Sequence, residues 1–141
     1  MFKSHLIAAL AIVASCAGVS TASATALWPA SIVGTWNGVS NQTQIVLTVT
    51  KQKKGGKCQA ITGTMLNVGA DTTAIQGYYC PSSGTVEFLR FPTGGNTAFQ
   101  VYNANLNQAN AGAPQLMISG SFGQYSPAYG PLGQYAFSVF H

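Results

Sequence analysis

One phrase constrains this chain more than any other: an apolar residue, any residue, glycine, any residue, a large apolar residue. It occurs at Ile32-Val33-Gly34-Thr35-Trp36, Ile61-Thr62-Gly63-Thr64-Met65, Ile75-Gln76-Gly77-Tyr78-Tyr79 and Ile118-Ser119-Gly120-Ser121-Phe122. Alternation with period 2 marks strands with one buried face. The four glycines stand 29, 14 and 43 residues apart, close to two, one and three times a common step, and one strand plus its turn is that step. Filling the gaps gives further strands at 45–49, 86–91, 99–106 and 135–140. They are bounded by turn-rich stretches such as Lys53-Lys54-Gly55-Gly56 and Pro92-Thr93-Gly94-Gly95. The count is eight. Composition agrees, because with 6% charged residues and 2 carboxylates the chain cannot supply the charged solvent stripes of amphipathic helices. Its 47% hydrophobic content argues against disorder, and its length suits one domain.

The hairpin between the second and third phrases can be registered on Gly69, so that positions summing to 138 face each other. Ile61 then faces Gly77, Ile75 faces Gly63, and Cys58 faces Cys80. Parity puts Ile61, Gly63, Met65, Ile75, Gly77 and Tyr79 on the core face, with Thr62, Thr64, Gln76 and the two cysteines outside. Inward glycines let a small barrel curve and are expected to leave space inside it.

The chain opens like an export signal. Lys3 supplies a basic start, an apolar run covers residues 6–17, and two overlapping cleavage sites follow, Ala22-Ser23-Ala24 and Ala24-Thr25-Ala26. Cleavage after Ala26 makes 1–26 the signal peptide and 27–141 a single domain. Val13-Ala14-Ser15-Cys16 also fits a lipobox, in which 1–15 is a lipoprotein signal and Cys16 a lipid anchor to the outer membrane. Both readings place the protein outside the cytoplasm, secreted or periplasmic. There Cys58 and Cys80 are an even pair in an oxidising compartment, and a disulfide between them is expected.

Eight short hairpin-linked strands with no helix to cover a sheet close best into an all-β, eight-stranded antiparallel up-and-down β-barrel, which removes the exposed edges. A two-sheet sandwich is the alternative. An outer-membrane barrel, suggested by the terminal alternation of Tyr135, Phe137 and Val139, lacks a lipid-facing apolar band.

Gly34-Thr35-Trp36-Asn37, followed by Ile61-Thr62-Gly63-Thr64 and Ile75-Gln76-Gly77-Tyr78-Tyr79, resembles the first, third and fourth strands of the avidin and streptavidin family. The resemblance implies a barrel whose mouth binds a small molecule, biotin or a biotin-like ligand. It points to Asn37 and Ser40 as contacts of the ureido oxygen. Asn67 falls where the family has a third-strand Ser, and Thr97 with Phe99 stands where it has a sixth-strand Thr-Thr-Trp. Tyr135 lies where it has an eighth-strand Asp, and Met65 replaces the expected Tyr. Aromatic walls would have to come from Phe88, Phe99, Tyr79 and Phe122. The expected ligand-binding set is therefore Asn37, Ser40, Asn67, Tyr79, Thr97, Phe99 and Tyr135. Biotin should be held weakly, since each hydrogen bond lost to a buried polar ligand group costs about 1 to 3 kcal/mol.

The inventory for catalysis is thin: His141 at the terminus, Asp71 in a turn, Glu87 on a strand, and hydroxyls without a base. The chain reads as a binder rather than an enzyme. No metal or cofactor is expected, since two cysteines and one terminal His141 do not make a zinc shell. Glu87 and Arg90 sit on opposite faces of one strand and read as separate surface charges. Trp36 reads as a core plug at the closed end. Lys51, Lys53, Lys54 and Lys57 cluster at one turn, either as a solubilising tip or as a contact for an anionic surface. Nucleic acid is not expected of an exported protein, whereas a homo-oligomer is compatible with the chain. The stretch 124–134, holding Tyr125 and Tyr129, reads as a long loop beside the mouth. Exposed there above a filled barrel, these tyrosines would instead mark a protein- or glycan-interaction module.

Overall fold

The computed structural model describes residues 28–91, 99–109 and 115–141. Eight strands follow one another: β1 (Gly34–Ser40), β2 (Thr43–Lys53), β3 (Gln59–Asn67), β4 (Thr72–Cys80), β5 (Thr85–Phe91), β6 (Phe99–Ala109), β7 (Gln115–Ser126) and β8 (Gly130–Phe140). Each pairs antiparallel with the next, and the sheet closes where β8 meets β1. That seam is short, running from Asn37 opposite Phe140 to Ser40 opposite Phe137. It is enough to exclude a two-sheet sandwich. The segment expected as an export signal, Cys16 included, lies outside the described residues.

The β3–β4 hairpin adopts the register that its glycines demand. Ile61 faces Gly77 and Gly63 faces Ile75, and the pattern carried one step past β3 joins Cys58 to Cys80 in a disulfide. Alternation then sorts every strand. Ile45, Leu47 and Val49 of β2, Ile61 and Met65 of β3, Ile75 and Tyr79 of β4, and Phe137 and Val139 of β8 are buried in one continuous core. The intervening Thr48, Thr62, Gln76 and Ser138 lie on the outer face.

The glycines do not leave space inside. A Cβ on Gly77 would lie 2.5 Å from Cα of Phe88 on β5 and would also strike the Glu87 carbonyl, and one on Gly120 would lie 2.7 Å from Cα of Ala104 on β6. Gly63 meets β2 in the same way. On β1 the equivalent position is Gly38, whose missing Cβ would meet Val139 of β8, rather than the Gly34 of the repeated phrase. These are points where a strand bends hard against its neighbour, so the neighbour's backbone takes up the room a side chain would need.

Residues 28–33 fold across one end of the barrel. Ile32 is buried, its amide donates to Gln52 Oε1 at 2.9 Å, and Gln52 Nε2 donates to the Ala30 carbonyl at 2.9 Å. Trp36 is 1% exposed, donates from Nε1 to the Ile32 carbonyl and meets His141 edge to face. This closed end also carries the disulfide and the exposed Lys51, Lys53, Lys54 and Lys57. The opposite end, the mouth, is formed where β1, β3, β5 and β7 end. There β1 and β2 are joined by a two-residue turn, with φ of 43° at Asn41 and 69° at Gln42, the left-handed pair that matches strand twist. The stretch expected as a long loop is a tight hairpin instead: β7 runs to Ser126 and β8 begins at Gly130. Its strands continue past the core because Tyr125 and Gln134 still have paired neighbours.

Candidate functional site

Among the described residues, the buried polar or charged side chains are Ser40, Thr73 and Arg90, and all three point inward at the mouth. Their positions follow from parity. Trp36 and Gly38 put Ser40 on the inner face of β1, Ile75 puts Thr73 there on β4, and Val86 and Phe88 force Arg90 inward on β5. Arg90 is thus not the surface charge expected from sequence. It is 5% exposed, whereas Glu87 lies on the outer face.

A chain of hydrogen bonds joins these groups. Thr73 Oγ1 donates to the Met65 carbonyl at 3.1 Å and accepts from Arg90 Nε at 2.6 Å. Arg90 Nη1 donates to Gln100 Oε1 at 3.2 Å, and the Tyr102 hydroxyl donates to the same oxygen at 2.9 Å. With its proton committed to Gln100, Tyr102 accepts from Ser40 Oγ at 3.4 Å. Burial pushes the Tyr102 hydroxyl above the usual phenol range, although the Ser40 bond and the nearby Arg90 charge pull the other way. It is a neutral donor. Asn67 shares this end of the barrel, and its Oδ1 is buried with no hydrogen-bond partner. A buried acceptor left unmade costs about 1 to 3 kcal/mol, so a donor brought there from outside gains what the fold forgoes.

Beneath the polar groups runs an aromatic ladder of directly paired residues. Phe88 stacks on Tyr102 at 4.5 Å, Tyr102 on Phe122 at 4.7 Å, and Phe122 tilts against Tyr135 at 5.2 Å. Phe137 meets both Phe88 and Tyr102 edge to face. These rings fill the interior with one another.

The expected ligand set is therefore only partly assembled. Ser40, Asn67 and Tyr135 face the mouth. Asn37 is exposed on the outer face, because a strand that turns Trp36 and Ser40 inward must turn Asn37 outward. Tyr79 is inward but lies six residues below Thr73, about 20 Å along the strand, where it donates to the Pro29 carbonyl at 2.6 Å. Phe99 points outward and stacks on Tyr125 at 5.4 Å, and Thr97 lies outside the described residues. Sequence reasoning missed Arg90, Thr73, Gln100 and Tyr102. The signal was available for all four: Ile75 requires an inward Thr73, the asparagines alternating with Ala104 and Leu106 require an inward Tyr102 and Gln100, and the run Val86, Glu87, Phe88, Leu89 requires an inward Arg90.

The outer wall has its own depression, a groove of about 450 Å³ bordered by Thr62, Gln76, Tyr78, Glu87 and Leu89. It follows the row where β4 dips at Gly77, and it faces away from the polar mouth. Compared with known proteins, the chain matches no family model and no curated sequence.

Proposed function

We propose that this barrel is a small-molecule binder of avidin-like build, exported from the cytoplasm, that holds its ligand at the mouth without catalysing a reaction on it. The observation that carries the reading is the confinement of buried polar side chains to that end, beside an Asn67 oxygen with no partner. A core that needed only packing would place apolar residues at these positions. Closure of eight strands and the order of the glycine phrases support the avidin-like comparison, and the Cys58–Cys80 disulfide is compatible with an oxidising compartment. Biotin is a weak ligand on this reading. The outward Asn37 removes one expected contact, and Tyr135 is no carboxylate.

A second reading, an interaction module acting through its rim, is favoured by the filled interior and by Tyr129, which is 84% exposed at the β7–β8 hairpin tip. Calorimetric titration with biotin, small cyclic ureas and fatty acids separates the two. Micromolar binding of at least one panel member, weakened in Asn67→Ala, is the expected result. Absence of binding across the panel favours the rim, and nanomolar biotin affinity would show that the outward Asn37 and the Tyr135 in place of a carboxylate cost little.

A further inference from the structure

Arg90 is 5% exposed, close to the buried Tyr102, and a guanidinium stays charged in proteins. The bonds from its Nε and Nη1 go to neutral acceptors, Thr73 and Gln100. The chain has two acidic side chains, Asp71 and Glu87; both are exposed, and neither pairs with Arg90 within 4.0 Å. His141 lies at the other end of the barrel, where its amide donates to the Leu116 carbonyl. Tyr102, the remaining nearby group able to become an anion, is kept neutral by burial. Arginine is almost never this buried without a counter-charge, because the cation has lost its water and gained no anion in exchange.

We propose that the counter-charge comes from the ligand: the mouth binds a small carboxylate, acid end inward against Arg90, with Asn67 Oδ1 accepting a hydrogen bond where the ligand carries an N–H or O–H. The inference rests on the small-molecule reading above and makes it specific. It also reverses the polarity that the family resemblance implies, in which a neutral ureido group is the buried end. The planar fork of a guanidinium matches a carboxylate, and a cation already stripped of its water gains the anion with no further desolvation cost of its own.

The test compares hexanoate with hexanamide, which match in length and differ in charge, by calorimetry on the purified protein, on Arg90→Met and on Arg90→Lys. Hexanoate should bind at least tenfold more tightly than hexanamide. Arg90→Met should abolish that preference, and Arg90→Lys should keep the charge preference at a reduced affinity, because an ammonium cannot reproduce the fork. Arg90→Met should fold, since it removes a lone buried charge; if it does not, the wild-type preference and its reduction in Arg90→Lys decide the matter. Equal affinity for hexanoate and hexanamide overturns the carboxylate proposal while leaving mouth binding intact, as does a preference unchanged in Arg90→Met. Binding of neither, nor of any cyclic ureas, removes the mouth reading and this proposal together.

Discussion

Tyr102 and Tyr79 show how burial at single residues sets the behaviour of the whole chain with pH. Burial pushes both hydroxyls above the ordinary value of 10.0, Tyr102 against the pull of Ser40 and Arg90. A phenol whose folded pKa is raised stabilises the fold fully below its unfolded value, and that stability is lost as pH climbs through the folded value. Unfolding in urea should therefore show constant stability from these groups up to about pH 10 and a steady decline above it. Phenolate absorbance should show Tyr79 and Tyr102 ionising above the ordinary phenol range, together with loss of structure. Ionisation of both in the ordinary range with the fold intact would contradict the burial argument. Parity made much of this legible in the sequence. The same rule that buries Trp36 exposes Asn37, and a contact set that includes both Asn37 and Ser40 asks one strand to face two ways.

At the scale of elements, the glycine phrase was the readable part, and its meaning lay in contacts that no periodicity encodes. Gly63, Gly77 and Gly120 are spaced by strand length, but what requires glycine is the neighbouring backbone pressed against each one. Gly77→Ala should accordingly destabilise by about 1 to 3 kcal/mol, the range for overpacking against atoms that cannot rotate away. Chemical denaturation measures it, and a neutral effect would mean that β4 and β5 separate without cost. The β1–β2 turn predicts the opposite sign. Gln42 holds a left-handed conformation at φ 69° with a Cβ that penalises it. Gln42→Gly should stabilise by about 1 kcal/mol, read as a higher urea midpoint with an unchanged slope. The hairpin taken for a long loop shows where composition misleads: Tyr, Pro and Gly punctuate the segment, yet paired neighbours on β6 and β7 carry the strands through it.

For the molecule as a whole, closure into a barrel divides two ends with different chemistry. One is plugged by residues 28–33 and Trp36 and carries four lysines at the β2–β3 connection; the other carries the buried Ser40, Thr73 and Arg90. Strand count, order and the disulfide hairpin could be read from the chain because period 2 and a symmetric register determine them. Whether the interior is open or filled could not, since that depends on which rings stack on one another. Phe88 and Phe122 were expected as walls for a ligand and instead pack against Tyr102. On the proposed function, a ligand is left with the polar rim above them. The most direct measurement is a two-dimensional NMR titration of the isotope-labelled protein with a carboxylate such as hexanoate, following every backbone amide. Binding at the mouth should shift Ser40, Asn67, Thr73, Arg90 and Gln100 together, in a saturable way, while Trp36, Tyr79 and His141 at the closed end stay still. Saturable shifts gathered instead around Tyr78 and Leu89 on the outer wall, or no shifts at all, would contradict a carboxylate site at the mouth.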